Sequence, residues 1–293
     1  MTLGMPKAEI PKHKEVVLNI GTYFSRHARY RPNHTALVFE DKRFTWLEFN
    51  QRINRLANAL LAKGLKKGDK VATLLPNCPE LLETYWAAAK TGLVVVPLST
   101  LLLSEAISRL LNDSDAAFLV ADPSFVGTID NLKAALPNIA EGCYLVTGTG
   151  APAGWQTYDN LTAAASDMEP DAQEITFDDI FNIMYSSGTT GLPKGIVHTH
   201  GIRAWYGASF AAAYRLTPEA VTLHAGAIVF NGAFVDLMPT VFQGATYILQ
   251  PQFNPETYIE TIRREKVTHV MLVPSQIVAI LNSPQFSADA LES

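Results

Sequence analysis

The residues best suited to chemistry stand together between positions 186 and 195. This stretch contains four hydroxyl side chains, three glycines, one proline and Lys194. Glycines allow backbone N–H groups to approach a ligand closely, and successive N–H groups that point inward form a nest for an anion. Lys194 adds a point charge suited to phosphate. The sequence therefore predicts a loop that holds a polyphosphate, and we call residues 186–195 the phosphate loop.

Two other structures fit parts of this pattern. An ordinary Gly/Ser/Thr surface loop explains the composition, but it does not explain so ordered a string after the apolar run 183–185. A P-loop requires the pattern G-x-x-x-x-G-K-[ST]. Here Gly188 and Gly191 are too close together, Pro193 precedes the lysine and Gly195 follows it. The sequence therefore argues against a P-loop.

The same string resembles the phosphate-binding signature of the adenylate-forming superfamily, which includes acyl-CoA synthetases, peptide-synthetase adenylation domains and luciferases. That signature reads [ST]-S-G-[ST]-T-G-x-P-K-G and is often followed by a strand and Thr-His, as at Thr199 and His200 here. Residues 44–49, 68–77 and 268–274 also look like motifs of this superfamily. The resemblance thus covers the chain from about residue 19 onward.

The resemblance implies an α/β fold of stacked, mostly parallel sheets with helices between and outside them, a layered αβαβα arrangement. Apolar strands that alternate with helices, as at 70–75, 79–90 and 94–96, point to parallel sheets on their own account. We expect an N-terminal lead over 1–18, a first α/β region over 19–165 and a second, incomplete α/β region over 166–293. The family's adenine, ribose and C-terminal lysine motifs do not occur, so we expect a truncated chain that is inactive by itself.

The resemblance also assigns roles within the phosphate loop. The loop would wrap the β- and γ-phosphates of ATP, with hydroxyls donated by Thr189 and Thr190. Thr190 would also bind Mg²⁺, and Lys194 would neutralise the leaving pyrophosphate, so Thr190 and Lys194 are the candidate catalytic residues. The candidate cofactor-binding residues are Ser186, Ser187, Gly188, Thr189, Thr190, Gly191 and Lys194. CoA is expected as a co-substrate.

The acid is expected near residues 228–232, where the family often carries His-x-Asn-Gly. This chain has Val229 in place of the histidine, which argues against a gating role for that side chain. The candidate substrate-binding residues are Phe230, Asn231, Gly232 and Trp205. A core position explains Phe230 equally well and explains Trp205 better.

The almost wholly apolar stretch 225–238 favours an apolar acid, because it offers no partner to a second charge. Asp236 is the one side chain there that would favour an ammonium group, and we expect it to face the surface or a hydrogen-bond partner instead. The sequence therefore indicates a long- or medium-chain fatty-acid–CoA ligase. An aryl-CoA ligase, an amino-acid adenylation domain and a non-catalytic nucleotide-binding module are the alternatives.

Composition limits the class of protein. Of the 293 residues, 48% are hydrophobic and only 17% are charged, which suggests large buried sheets. The net charge of −5 gives no basic footprint for nucleic acid. Cys78 and Cys143 lack metal or redox spacing and predict reduced thiols in a cytoplasmic protein. No signal peptide or membrane span is expected, and a homodimer is left open.

Overall fold

The computed structural model describes residues 19–186, 193–287 and 291. The helices are α1 (Thr22–Tyr30), α2 (Trp46–Ala62), α3 (Pro79–Thr91), α4 (Ser104–Asp113), α5 (Val126–Leu132), α6 (Tyr158–Ala163), α7 (His200–Tyr214), α8 (Phe234–Gln243), α9 (Pro255–Glu265) and α10 (Pro274–Leu281). The strands are β1 (Thr35–Phe39), β2 (Lys42–Thr45), β3 (Lys70–Leu74), β4 (Val94–Pro97), β5 (Ala116–Ala121), β6 (Tyr144–Val146), β7 (Gln156–Thr157), β8 (Ile180–Ser186), β9 (Lys194–Thr199), β10 (Val221–His224), β11 (Thr246–Leu249) and β12 (His269–Val270).

The described strands form two sheets. The seven-stranded sheet has the order β7-β6-β5-β3-β4-β8-β9, and the five-stranded sheet has the order β12-β10-β11-β1-β2. All neighbours run parallel except β1 with β2 and β8 with β9. Both sheets combine strands from before and after residue 166, and the division of the chain at that residue stays a prediction.

The layered α/β prediction is confirmed, and α3 shows the layering directly. Every residue of α3 except Glu80 is buried. Its core cluster reaches Leu37 and Leu249 of the five-stranded sheet as well as Val95 of the seven-stranded sheet. A helix that is buried on all faces must pack against other elements on every side. Here α3 packs between the two sheets.

Local signals set several of the element boundaries. Thr45 caps α2: its hydroxyl accepts from the Glu48 N–H at 3.2 Å, and the Glu48 carboxylate accepts from the Thr45 N–H at 2.9 Å. This is the capping box that a Thr-x-x-Glu pattern, here Thr45 to Glu48, predicts at a helix start. Pro79 opens α3, and Gly92 ends it in the left-handed conformation, with φ at 73°.

One strand is shorter than the sequence predicts. Residues 270–273 read as a strand, yet β12 contains only His269 and Val270. These two residues pair with Thr222 and Leu223 of β10, and β10 continues for a single residue beyond that point. Residues 271–273 therefore lack a strand to pair with, and Met271 instead approaches Gly232.

The acidic connection before the phosphate loop is tied to the helices by a buried cation. Lys90 of α3 donates to the Asn50 and Asn54 side chains, each at 2.7 Å, and to the Glu169 carboxylate at 2.6 Å. Burial lowers the pKa of Lys90, and the Glu169 carboxylate opposes that shift. This contact holds part of the 166–179 connection against α2 and α3.

Candidate functional site

The two ends of the phosphate loop lie side by side. β8 and β9 form an antiparallel hairpin in which Ser186 is the partner of Lys194 and Tyr185 is the partner of Gly195. Both Ser186 and Lys194 are exposed. Since a strand follows the loop, the connection differs from the strand–loop–helix of a P-loop. The predicted roles of Ser187, Gly188, Thr189, Thr190 and Gly191 concern residues outside the described part of the chain.

Gly195 is closely packed within this hairpin. A Cβ added there would lie 3.0 Å from Ile183 Cγ2 and 3.3 Å from Tyr185 Cε1. The Tyr185 hydroxyl donates to the Asp113 carboxylate of α4 at 2.6 Å. Burial, and then this carboxylate, raise the pKa of Tyr185, so the phenol stays protonated. These contacts fix the strand that enters the loop.

A buried arginine joins the hairpin to the predicted acid site. Arg203 of α7 is 0% exposed and donates to the Asn182 side chain on β8 at 3.0 Å and to the Asn231 side chain at 2.9 Å. Its guanidinium carbon lies 3.8 Å from the centre of the Phe234 ring. Burial lowers the pKa of Arg203 to about 9, and within the described residues it forms no ion pair with a carboxylate.

The candidate substrate-binding residues do not all lie in contact with one another. Phe230 is 49% exposed and Asn231 is its neighbour in a short turn. A Cβ added at Gly232 would lie 3.2 Å from Met271 Cε, so Gly232 faces the segment after β12. Trp205 is 63% exposed and is therefore not a core residue; its substrate role stays a prediction.

Sequence reasoning missed three residues around Asn231. The Tyr206 hydroxyl, rather than Trp205, lies 3.5 Å from the Asn231 side-chain nitrogen. Arg203 and Met271 contact the same turn, through Asn231 and Gly232 respectively. Arg203 and Tyr206 stand three residues apart on α7 and so share a helix face. In the sequence, the only indication of this group was Arg203, a charged residue within an Ala/Gly-rich helix.

A cleft of about 400 Å³ is lined in part by Phe230. Its lining includes Ala225, Ala227 and Val229 together with Asn77 and Leu101. These residues follow β3, β4 and β10, and clefts at the carboxyl ends of parallel strands are common ligand sites. A second cleft of about 400 Å³, past β1 and β11, shares only two lining residues with it and contains no predicted site residue.

Asp236 is paired inside the protein. It is 6% exposed, and its carboxylate lies 2.8 Å from Nδ1 of His224 on β10. The Tyr247 hydroxyl lies 3.5 Å from its second oxygen. The expectation that Asp236 has a hydrogen-bond partner is therefore correct, whereas a surface position is wrong. Because the carboxylate is buried and already paired with His224, the structure argues against its binding a substrate ammonium.

Two further histidines flank the start of α7. His198 and His200 are buried, and the His200 ring accepts from the Ile20 N–H through Nδ1 at 3.3 Å. Burial lowers the pKa of both to about 4, and for His198 the Arg203 charge adds to the effect. Both rings are therefore neutral at pH 7, as is required of unpaired buried imidazoles.

These histidines predict a loss of stability in mild acid. The unfolded chain binds their protons near pH 6.5, but the folded chain binds them only near pH 4, so stability is complete above pH 6.5 and falls between these values. Each ring accounts for about 3 kcal/mol at roughly 1.4 kcal/mol per pKa unit. Urea unfolding from pH 7.5 to 4.5 measures this slope. His200→Asn keeps an acceptor for Ile20 but cannot titrate there, and it should flatten the slope; an unchanged slope would contradict the assignment.

The described residues place two limits on other chemistry. Among them, no three His, Cys, Asp or Glu side chains cluster as metal ligands, and Thr190, the predicted magnesium ligand, lies outside them. None of the described helices combines the length and the apolar composition that a bilayer crossing requires. Cys78 and Cys143 are free thiols.

Comparison with protein families decides the class. The AMP-binding enzyme family matches residues 24–293. The chain belongs to the AMP-binding enzyme family. This membership agrees with the superfamily resemblance at the phosphate loop.

Individual relatives in the AMP-binding family act on different acids. A feruloyl-CoA synthase from Amycolatopsis sp is 34% identical over 276 residues, which cover 94% of this chain and 52% of that protein. A long-chain-fatty-acid–CoA ligase from Mycobacterium tuberculosis is 32% identical over 275 residues, which cover 92% of this chain and 52% of that protein. The solved structure of an anthranilate CoA ligase in complex with anthranoyl-AMP superposes with a TM-score of 0.85 at 26% identity, covering 92% of this chain and 53% of that one. The chain spans about half the length of the curated relatives it matches.

Proposed function

We propose that the protein activates an apolar carboxylic acid with ATP and transfers the acyl group to CoA. The pairing of Ser186 with Lys194 carries this proposal, because it brings the two ends of the phosphate loop together at the edge of the sheet. Acyl- and aryl-CoA ligases among the relatives support the reaction class. The cytoplasmic location indicated by the sequence stays a prediction.

The first step joins the acid carboxylate to the α-phosphate of ATP and releases pyrophosphate. Negative charge gathers on phosphoryl oxygens in the transition state, so aimed donors there lower the barrier. Lys194 would neutralise the leaving pyrophosphate, and the loop hydroxyls would hold the β- and γ-phosphates. Mg²⁺, when bound, would neutralise further phosphate charge, with Thr190 as its proposed ligand.

The acid would lie against the Asn231–Gly232 turn, between Tyr206 and Met271. Tyr206 and Met271 contact this turn from two different elements, and both present apolar surface. In the second step the CoA thiol would attack the acyl carbonyl of the acyl-adenylate and release AMP, and the cleft lined by Phe230 is the proposed route for the thiol. An amino-acid substrate is disfavoured because Asp236 is already paired with His224.

We expect the complete protein, with any sequence downstream of residue 293 included, to prefer fatty or aryl monocarboxylic acids to amino acids. Each methylene buried in the site adds about 0.8 kcal/mol, so kcat/KM should rise with chain length until the site is full. Acid-dependent pyrophosphate exchange, measured from acetate to palmitate, with ferulate and with the amino acids, gives the profile. An amino acid that exceeds every other acid would overturn the proposal.

Gly232→Leu should shorten the longest acid that is accepted, because the new side chain extends toward Met271. Gly127→Leu is the matched control, since a Cβ at Gly127 of α5 meets open space. The control should keep the wild-type profile. Equal profiles for both variants would place the acid elsewhere.

A further inference from the structure

Arg203 carries a buried positive charge that is not expected to stabilise the fold. It is 0% exposed, and no carboxylate of residues 19–186 and 193–287 pairs with it. A buried charge without an opposite partner is costly. By contrast, the buried cation Lys90 has the Glu169 carboxylate at 2.6 Å. The Arg203 charge is held instead by neutral acceptors and by aromatic rings.

The hydrogen bonds of Arg203 reach both halves of the candidate site. Its Nε donates to Asn182 Oδ1 and its Nη2 contacts the Met184 sulfur at 3.5 Å, and both partners lie on β8, which leads into the phosphate loop. Its Nη1 donates to Asn231 Oδ1 in the acid-site turn. The planar guanidinium lies 3.8 Å from the Phe234 ring centre, which restricts its orientation.

These contacts decide which way the Asn231 amide points. A guanidinium has donors and no acceptor, so the atom of Asn231 that faces it must be the carbonyl oxygen. The amide nitrogen then points away from Arg203, toward the Tyr206 hydroxyl at 3.5 Å. Asn231 is only partly buried and its neighbour Gly232 is exposed. Among the described residues the amide nitrogen has Tyr206 as its one acceptor, and an amide NH₂ group carries two N–H donors, so its second donor is available to a substrate oxygen.

We propose that Arg203 is a positioning residue for the acid, which turns the Asn231 N–H donor toward the substrate's carboxylate or acyl oxygen. The proposal rests on the proposed function, since it names how that site orients its acid. It also explains why no carboxylate of the described residues pairs with Arg203: such a carboxylate would compete with Asn231 for the guanidinium and release the amide.

The test compares variants of the complete protein by acid-dependent pyrophosphate exchange. Arg203→Met replaces the guanidinium by an apolar chain of similar length, and it should raise KM for the acid about 10-fold or more while KM for ATP changes less than about 2-fold. Asn231→Ala should give the same pattern. If Arg203 acts through Asn231, the double variant should be no worse than the worse single variant.

Two further variants separate positioning from a structural role. Asn231→Asp keeps an acceptor for Arg203, so the fold should be retained, but it removes the donor and should raise KM for the acid. Lys90→Met removes a second buried cation, remote from Asn231, and should lower the unfolding midpoint without changing KM for the acid.

The possible results distinguish the two proposals. A wild-type protein without exchange for any acid overturns the proposed function and this inference with it. An active wild type whose folded Asn231→Asp variant keeps its KM for the acid overturns the inference alone. Effects of Arg203→Met and Asn231→Ala that multiply would also overturn it, because they would be independent. If Arg203→Met does not fold, Asn231→Asp still decides the question.

Discussion

Lys194→Ala should slow adenylation by about 10²-fold or more in the complete protein. This is the scale of losing one donor aimed at charge that develops in the transition state. Lys194 opens β9 opposite Ser186, and its side chain is exposed, so little packing is lost with it. Acid-dependent pyrophosphate exchange at saturating ATP measures the effect, and thermal unfolding should give a midpoint close to the wild-type value.

Lys194→Arg is the matched control for this prediction. It keeps the charge but spreads it over a planar fork, which is not equivalent to an ammonium at a phosphate. Its rate should fall between those of the wild type and Lys194→Ala. A Lys194→Ala protein with wild-type turnover would remove Lys194 from the catalytic residues.

Asp236→Ala should destabilise the protein by about 1–3 kcal/mol, because it leaves the buried Nδ1 of His224 without its hydrogen-bond partner. The two side chains are 2.8 Å apart and almost fully buried. Urea unfolding at pH 7 measures the loss directly and needs no substrate. Asp236→Asn preserves the shape and one acceptor, so it should cost less.

The same variant tests the amino-acid alternative. If Asp236 instead recognised a substrate ammonium, Asp236→Ala would change the acid profile and leave stability almost untouched. A loss of stability below about 1 kcal/mol would therefore contradict the structural role of the His224–Asp236 pair.

Features set by a few neighbouring residues could be predicted from the sequence. The Thr45 capping box, the α3 start at Pro79 and its end at Gly92 depend on local geometry, and each lies where the pattern predicts it. The phosphate loop was recognisable because its chemistry is compressed into ten consecutive residues. The layered fold followed from the superfamily resemblance together with the apolar strands.

Features set by distant residues could not be predicted. Arg203 and Asn231 are 28 residues apart, and their contact depends on how α7 packs against the turn before α8. Trp205 and Tyr206 are equally aromatic in the sequence, and only the rotation of α7 turns Tyr206 toward Asn231. The length of β12 likewise depends on where β10 ends.

The pairing of β1 with β11 has a consequence for biosynthesis. Thr35 at the start of β1 accepts a hydrogen bond from Thr246 of β11, 211 residues later in the chain. At roughly 5–20 residues per second, a ribosome needs on the order of 10–40 s to make that interval. The β1–β2 hairpin is therefore synthesised early, and the edge of β1 that later pairs with β11 stays unpaired until β11 has been made. During that time a strand from another nascent chain can compete for this edge, so the interval before β11 is made carries a risk of intermolecular pairing.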